Sequence, residues 1–128
     1  MKKSIYVIDD DEIYQRIIKK LVARADVFQQ ASFYMNARKA LHDLNFTNSE
    51  MPSVILLDIN MPVMDGWQFL KELEKSFPNL YTQTKIFIVS SSIAYSDKEK
   101  INEFPMLSGF LSKPLSVEKL REIGEYIK

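Results

Sequence analysis

The chain contains no cysteine, and that absence removes disulfide bridges, thiol nucleophiles and cysteine-based metal sites together. It has no net charge to offer either. Lys and Arg total 17, Asp and Glu total 17, so no overall basic field exists to hold nucleic acid. Glycine and proline are scarce, at 3 and 5, and no linker, internal repeat or low-complexity tract divides the 128 residues. Long apolar runs are missing too. The first residues begin like a signal peptide, but Asp9, Asp10, Asp11 and Glu12 end the apolar stretch far short of a signal core or a membrane span. A reducing, cytoplasmic setting fits these absences. What is present is the composition of one ordinary domain, residues 1–128, 46% hydrophobic and 27% charged, long enough to bury a core.

Short apolar runs alternate with helical periods along the chain. Ile5 to Ile8 is too short for a helix and ends in acids, which predicts a strand. Ile13, Ile17 and Leu21 then recur at every fourth position, with acids before them and Lys19, Lys20 and Arg24 behind. That spacing predicts an amphipathic helix on this stripe, its charges matched to its dipole. Val27 to Ser32 reads as a weak strand, and Ala37, Ala40, Leu41 and Leu44 mark a second helix. Val54 to Leu57 is wholly apolar, as a central strand covered on both faces should be. After the Asp65-Gly66 turn, Trp67, Leu70, Leu73 and Phe77 face inward on a third helix, with Lys71, Glu72, Glu74 and Lys75 outward.

Pro78 to Thr84 reads as a polar loop, and Ile86 to Val89 as a second buried strand leading into Ser90-Ser91-Ser92. A charged helix around Asp97 to Glu103 is stopped near Pro105, and Phe110-Leu111 forms a last short strand. Ser116 caps a final helix carrying Val117, Leu120, Ile123 and Ile127. The order βαβαβαβαβα implies a parallel sheet with helices on both faces, and sites in such α/β folds lie beyond the carboxyl ends of the strands.

Those ends carry the chemistry. Asp9, Asp10 and Asp11 follow the first strand, Asp58 the third, Ser90 the fourth and Ser112-Lys113-Pro114 the fifth. Two carboxylates about 4 Å apart repel by roughly 4 kcal/mol at an effective dielectric near 20. Either one takes up a proton or a cation sits among them. An all-oxygen set with few ligands suits a hard ion such as Mg²⁺ and phosphate chemistry. Plainer readings hold elsewhere. Asp11 is a helix cap or solvated acid, Met61-Pro62 and Asp65-Gly66 are loop geometry, His42 is an inert exposed residue, and Trp67 and the methionines are core. Ser91 and Ser92 are left unassigned.

Val7-Ile8-Asp9-Asp10-Asp11, Leu56-Leu57-Asp58-Ile59-Asn60-Met61-Pro62-Val63-Met64-Asp65-Gly66, Val89-Ser90-Ser91 and Ser112-Lys113-Pro114-Leu115 resemble, in order and spacing, the motifs of response-regulator receiver domains, the phosphoacceptor halves of two-component signalling. The resemblance covers nearly the whole chain and is similar to the single-domain, chemotaxis-type regulators. It implies a doubly wound, five-stranded parallel sheet flanked by five helices, flavodoxin-like, in order 2-1-3-4-5. By position, it makes Asp58 the phosphoacceptor, supplied by a phosphohistidine or a small donor such as acetyl phosphate. It implies Mg²⁺ as cofactor, held by the side chains of Asp10 and Asp58, by the backbone carbonyl of Asn60, and by Asp9 chiefly through water. Lys113, placed by a cis peptide before Pro114, would pair with Asp58 or with phosphoryl oxygen. Ser90 would bond phosphoryl oxygen and, with Phe110, form the switch.

The resemblance also implies a sensor histidine kinase or phosphotransfer protein as donor, and a downstream protein target at residues 97–128, with no direct nucleic acid or membrane partner. Such a domain is not an enzyme in the usual sense, since it promotes only its own phosphorylation and dephosphorylation. The chain's end soon after the fifth helix suggests a stand-alone receiver or relay intermediate, and a receiver excised from a larger regulator or hybrid kinase would look the same. A Mg²⁺-dependent phosphatase with an aspartyl nucleophile would need a general acid where Asn60 stands. A flavodoxin-type flavin carrier would need a phosphate loop in place of Asp9-Asp10-Asp11, and a degenerate receiver would not keep the full motif set. Several features depart from the commonest pattern: Ser90 for Thr, Phe110 for Tyr, Phe104-Pro105 for small residues, and longer segments at Asn45 to Pro52 and Pro78 to Thr84.

Overall fold

The computed structural model describes residues 3–46, 51–91 and 95–127. Five strands, β1 (Ser4–Ile8), β2 (Gln30–Tyr34), β3 (Val54–Leu57), β4 (Lys85–Ser90) and β5 (Leu107–Ser112), alternate with α1 (Glu12–Ala25), α2 (Ala37–Asn45), α3 (Gly66–Ser76), α4 (Tyr95–Ile101) and α5 (Val117–Tyr126). The strands pair in parallel in the order β2-β1-β3-β4-β5, which is the expected doubly wound sheet.

Side-chain alternation gives each central strand two buried faces. Ile8, Ile55, Leu57, Ile86 and Ile88 pack with Ala40 and Leu44 of α2 and Trp67, Leu70 and Leu73 of α3. Ile5, Val7, Val54, Leu56 and Val89 pack with Ile18 and Val22 of α1 and Leu120 and Ile123 of α5. Each such aliphatic side chain contributes about 1.5–3 kcal/mol on full burial. On the first of these faces α3 is joined to α4 and to the segment that follows it: the Trp67 indole is buried, its Nε1–H donates to Asp97 Oδ1 of α4 at 3.2 Å, and its ring stacks on Phe104, just past α4, with centroids 5.6 Å apart.

Five expectations are corrected. The inward stripe of α1 is not Ile13, Ile17 and Leu21; Ile13 is 70% exposed and Ile17 47%, and the buried residues are Tyr14, Gln15, Ile18, Val22 and Ala25. The Asp11 cap fixes where the helix starts, and the sheet and α5 then select the stripe one residue further on. The second strand is Gln30–Tyr34 and not Val27 to Ser32, because the Gln29 and Gln30 amides first reach Lys3 O and Val27 packs under Gly124 of α5. The Pro78 to Thr84 segment is anchored: it forms a 3-10 turn at Leu80–Thr82, buries Leu80, and donates from Thr84 Oγ1 to Pro52 O at 2.6 Å. The last strand runs over six residues, and α4 begins before Asp97 and ends at Ile101. Of the longer segment expected at Asn45 to Pro52, residues 47–50 lie outside the described residues, as does Ser92. Among the described residues no helix is long and apolar enough to cross a membrane.

Candidate functional site

Strand register brings the acids together. Ile8 stands opposite Leu57, and Leu57 opposite Ile88, so Asp9 and Asp58, one residue beyond that row on adjacent strands, leave the sheet side by side. The Asp58 amide donates to Ile8 O at 2.9 Å and extends the pairing into the site. Asp9, Asp10 and Asp58 each offer a carboxylate oxygen, and the three lie within 4.8 Å of one another; Asp9 and Asp58 are buried and Asp10 is partly exposed. This donor set, all oxygen and anionic, fits a hard cation and gives a borderline or soft ion nothing to prefer.

The loops serve the cluster. Asp11, as expected, caps α1: its Oδ1 accepts from the Ile13 and Tyr14 amides, while its own amide donates to Asp9 Oδ1 at 2.9 Å. After Asp58 the chain turns back through Val63, which has a left-handed φ of 69°, to Asp65, the reciprocal cap of α3 with Gln68. Gly66 sits against the site's own backbone. A Cβ there would lie 2.7 Å from the Asp58 carbonyl oxygen and 2.8 Å from Ile59 Cα, so only glycine lets α3 start this close.

Lys113 arrives from β5 through a cis peptide to Pro114, and its amide donates to Ser90 O at 2.9 Å. Its ammonium pairs with Asp9 Oδ2 at 2.6 Å, and not with Asp58, the acid first expected to hold it. Asp58 is the less compensated acid. Its carboxyl is pushed up to about 6, first by burial and then by the Asp9 charge, with Lys113 and a hydrogen bond from the Asn60 backbone amide countering only in part and the Asp10 charge raising it slightly further. Ser90 is buried at the end of β4, and Phe110, opposite Ile88, is half-buried against the α2–α3 side of the core.

Sequence reasoning missed two residues here. Gln15 is buried and its Nε2 donates to Asp9 O and Tyr34 O, both at 2.9 Å, tying the acid loop to β2. Tyr14 is buried with Lys113 Nζ 4.2 Å from its ring centre. Reading α1 on the Ile13–Ile17 stripe turned both away from the site. The signal available was position alone: both fall within one turn of the capping Asp11.

A parallel α/β sheet with an acid cluster and one lysine at its carboxyl edge defines a narrow class of protein, and comparison with known proteins agrees with it. The profile of the response regulator receiver domain matches residues 5–125. The chain belongs to the response regulator receiver domain family. It is 27% identical over 118 residues to a protein-glutamate methylesterase/protein-glutamine glutaminase of Methanococcoides burtonii, covering 91% of this chain but only 31% of that relative's length. It is 25% identical to the polar-differentiation response regulator DivK of Brucella anthropi, covering 95% of this chain and 93% of that one. In fold it superposes on a two-component response regulator from Cytophaga hutchinsonii with a TM-score of 0.87 at 24% identity, covering 98% of this chain and 96% of the other.

Proposed function

We propose that residues 1–128 form one receiver unit in which Asp58 accepts a phosphoryl group and thereby switches a protein-binding surface. The observation that carries this reading is the convergence of three carboxylate oxygens within 4.8 Å, with the Lys113 ammonium paired to one of those acids.

A carboxylate oxygen of Asp58 attacks the phosphorus of a phosphohistidine or of acetyl phosphate. An O–P bond forms as the donor's N–P or O–P bond breaks, and the electron pair leaves with imidazole or acetate. Asp9, Asp10, Asp58 and the Asn60 carbonyl would hold Mg²⁺, which when bound offsets the repulsion between nucleophile and phosphoryl oxygens. Lys113 supplies the second positive charge by exchanging its Asp9 partner for a phosphoryl oxygen. Ser90, at the end of β4, hydrogen-bonds another oxygen, and Phe110, packed on the side of the sheet covered by α2 and α3, repacks with it.

The changed surface lies within residues 97–128, where a downstream protein would read it, and the donor would be a histidine kinase or phosphotransfer protein. The setting is cytoplasmic, with no direct nucleic-acid or membrane partner, and no separate substrate is turned over. A phosphatase reading is disfavoured because Asn60, two residues after Asp58, cannot transfer a proton. A role as one module of a longer regulator or as a relay intermediate keeps the same chemistry at Asp58. The chain spans less than a third of the methylesterase relative and nearly all of the DivK relative.

Intact mass after incubation with acetyl phosphate and Mg²⁺ tests the reading. Wild type should gain one phosphoryl group and Asp58→Ala none. A wild-type chain that stays unmodified sinks the proposal, and an equal gain in the variant moves the acceptor elsewhere.

A further inference from the structure

The Tyr14 hydroxyl is a buried polar group that none of the described residues hydrogen-bonds. The residue is only 8% exposed, so its phenol is largely cut off from bulk water. A buried hydroxyl left unpaired costs about 1–3 kcal/mol, and such groups call for a specific reason. The surroundings of this one are charged. Lys113 Nζ lies 4.2 Å from the ring centre and also holds Asp9 Oδ2 at 2.6 Å, so ring, ammonium and acid form one stack. After burial itself, the groups that most raise the phenol's pKa are Asp9 and Asp58, which places the hydroxyl in the field of the acid pair.

In the field of negative charge a phenol keeps its proton and acts as a donor. Among the described residues no partner accepts from it, and the ligands expected at this site, a phosphoryl group and a hydrated ion, both bring oxygen. The aromatic face attracts the ammonium by about 0.5–2 kcal/mol, the upper end applying when water is excluded. That is enough to choose among the rotamers of a flexible lysine side chain.

We propose that Tyr14 is a working residue of this site: its ring positions the Lys113 ammonium, and its hydroxyl donates a hydrogen bond to a ligand oxygen of the loaded site, on the phosphoryl group or in the water shell of the ion. This rests on the reading of Asp58 as phosphoacceptor. It adds a residue that motif matching does not find, because Tyr14 lies outside the motif segments and on a helix face that the sequence pattern misassigns.

Tyr14→Phe and Tyr14→Leu separate the two parts. In EDTA, Tyr14→Phe should unfold at the wild-type temperature or above, having shed an unpaired hydroxyl. With acetyl phosphate at saturating Mg²⁺ it should gain its phosphoryl group about tenfold more slowly, the worth of one hydrogen bond of roughly 1.4 kcal/mol. If Mg²⁺ titration alone is instead about tenfold weaker in Tyr14→Phe and the rate recovers at saturation, the oxygen belongs to the ion's water. The ¹⁵N signal of the Lys113 ammonium should shift in Tyr14→Leu and stay in place in Tyr14→Phe, a readout that does not depend on phosphorylation.

A Tyr14→Phe protein with wild-type rate and wild-type Mg²⁺ requirement overturns the role of the hydroxyl. An unmoved Lys113 signal in folded Tyr14→Leu overturns the role of the ring. Wild type that never accepts phosphoryl is a different failure, that of the function proposed above.

Discussion

An acid at the end of a wholly apolar strand is held against its own preference for water, and Asp58 shows what that does to its proton. Its carboxyl titrates at about 6 in the folded chain against an ordinary 3.8. An acid whose folded pKa is raised stabilises the fold only while it is protonated. Above about 6 the ionised form is a penalty on folding, and the penalty fades as pH falls from 6 towards 3.8. At 1.36 kcal/mol per unit the ceiling is about 3 kcal/mol. Asp58→Asn should therefore unfold at a higher denaturant concentration than wild type at pH 7.5 in EDTA, by up to that amount, and the advantage should disappear by pH 4. An Asp58→Asn protein no more stable than wild type at pH 7.5 would mean that burial and the Asp9 charge do not hold the Asp58 carboxyl up. The identity of these acids was legible in the sequence because each directly follows an apolar run. Which one holds Lys113 was not, since that depends on a side-chain torsion that no pattern encodes.

At the scale of elements, α1 is the instructive case. Ile17 and Ile18 are neighbours of the same type, and a four-residue spacing can be drawn through either; only packing against the sheet and α5 chooses Ile18. Ile18→Ala should cost about 2–5 kcal/mol, as deletions in a closed core do. Ile17→Ala, on the half-exposed side, should stay within about 0.5 kcal/mol. Urea titrations of the two variants decide the matter, and equal losses would return the stripe to the sequence-based one. Strands β1, β3 and β4 were readable because burial on both faces writes an unbroken apolar run. Strand β2 was not: it lies at the sheet edge with Gln30 and Ala31 exposed, so its alternation is faint. The 3-10 turn at Leu80–Thr82 escaped for a similar reason, its one buried leucine being too little to form a period.

The whole molecule divides its tasks between the two sides of one sheet. Asp9 and Asp58 continue from β1 and β3, Lys113 lies against Tyr14, and Tyr14 of α1 belongs to the cluster shared with α5; Phe110 belongs to the other side, with α2 and α3. The acids also touch that opposite layer directly, since α3 starts at Gly66 against the Asp58 backbone. The parallel topology was legible from the alternation of apolar runs and helical periods, and with it the convergence of Asp9, Asp10, Asp58 and Lys113 at one sheet edge. The division between layers was not, because it depends on which helix crosses to which face.

The chain's only tryptophan, Trp67, lies on that opposite layer, fixed to α4 by a hydrogen bond to Asp97 and to the segment after α4 by a ring stack on Phe104. The molecule thus carries its own optical gauge, at the seam where a shift of α4 would first be felt. Asp97→Ala should change the intensity and wavelength of tryptophan emission while leaving the far-ultraviolet circular dichroism as it was. An unaltered spectrum would mean that the seam is not built through that carboxylate. If it is, any shift of α4 that follows loading of the acid site, as proposed above, can be followed in the unsubstituted protein by light alone, with no label attached.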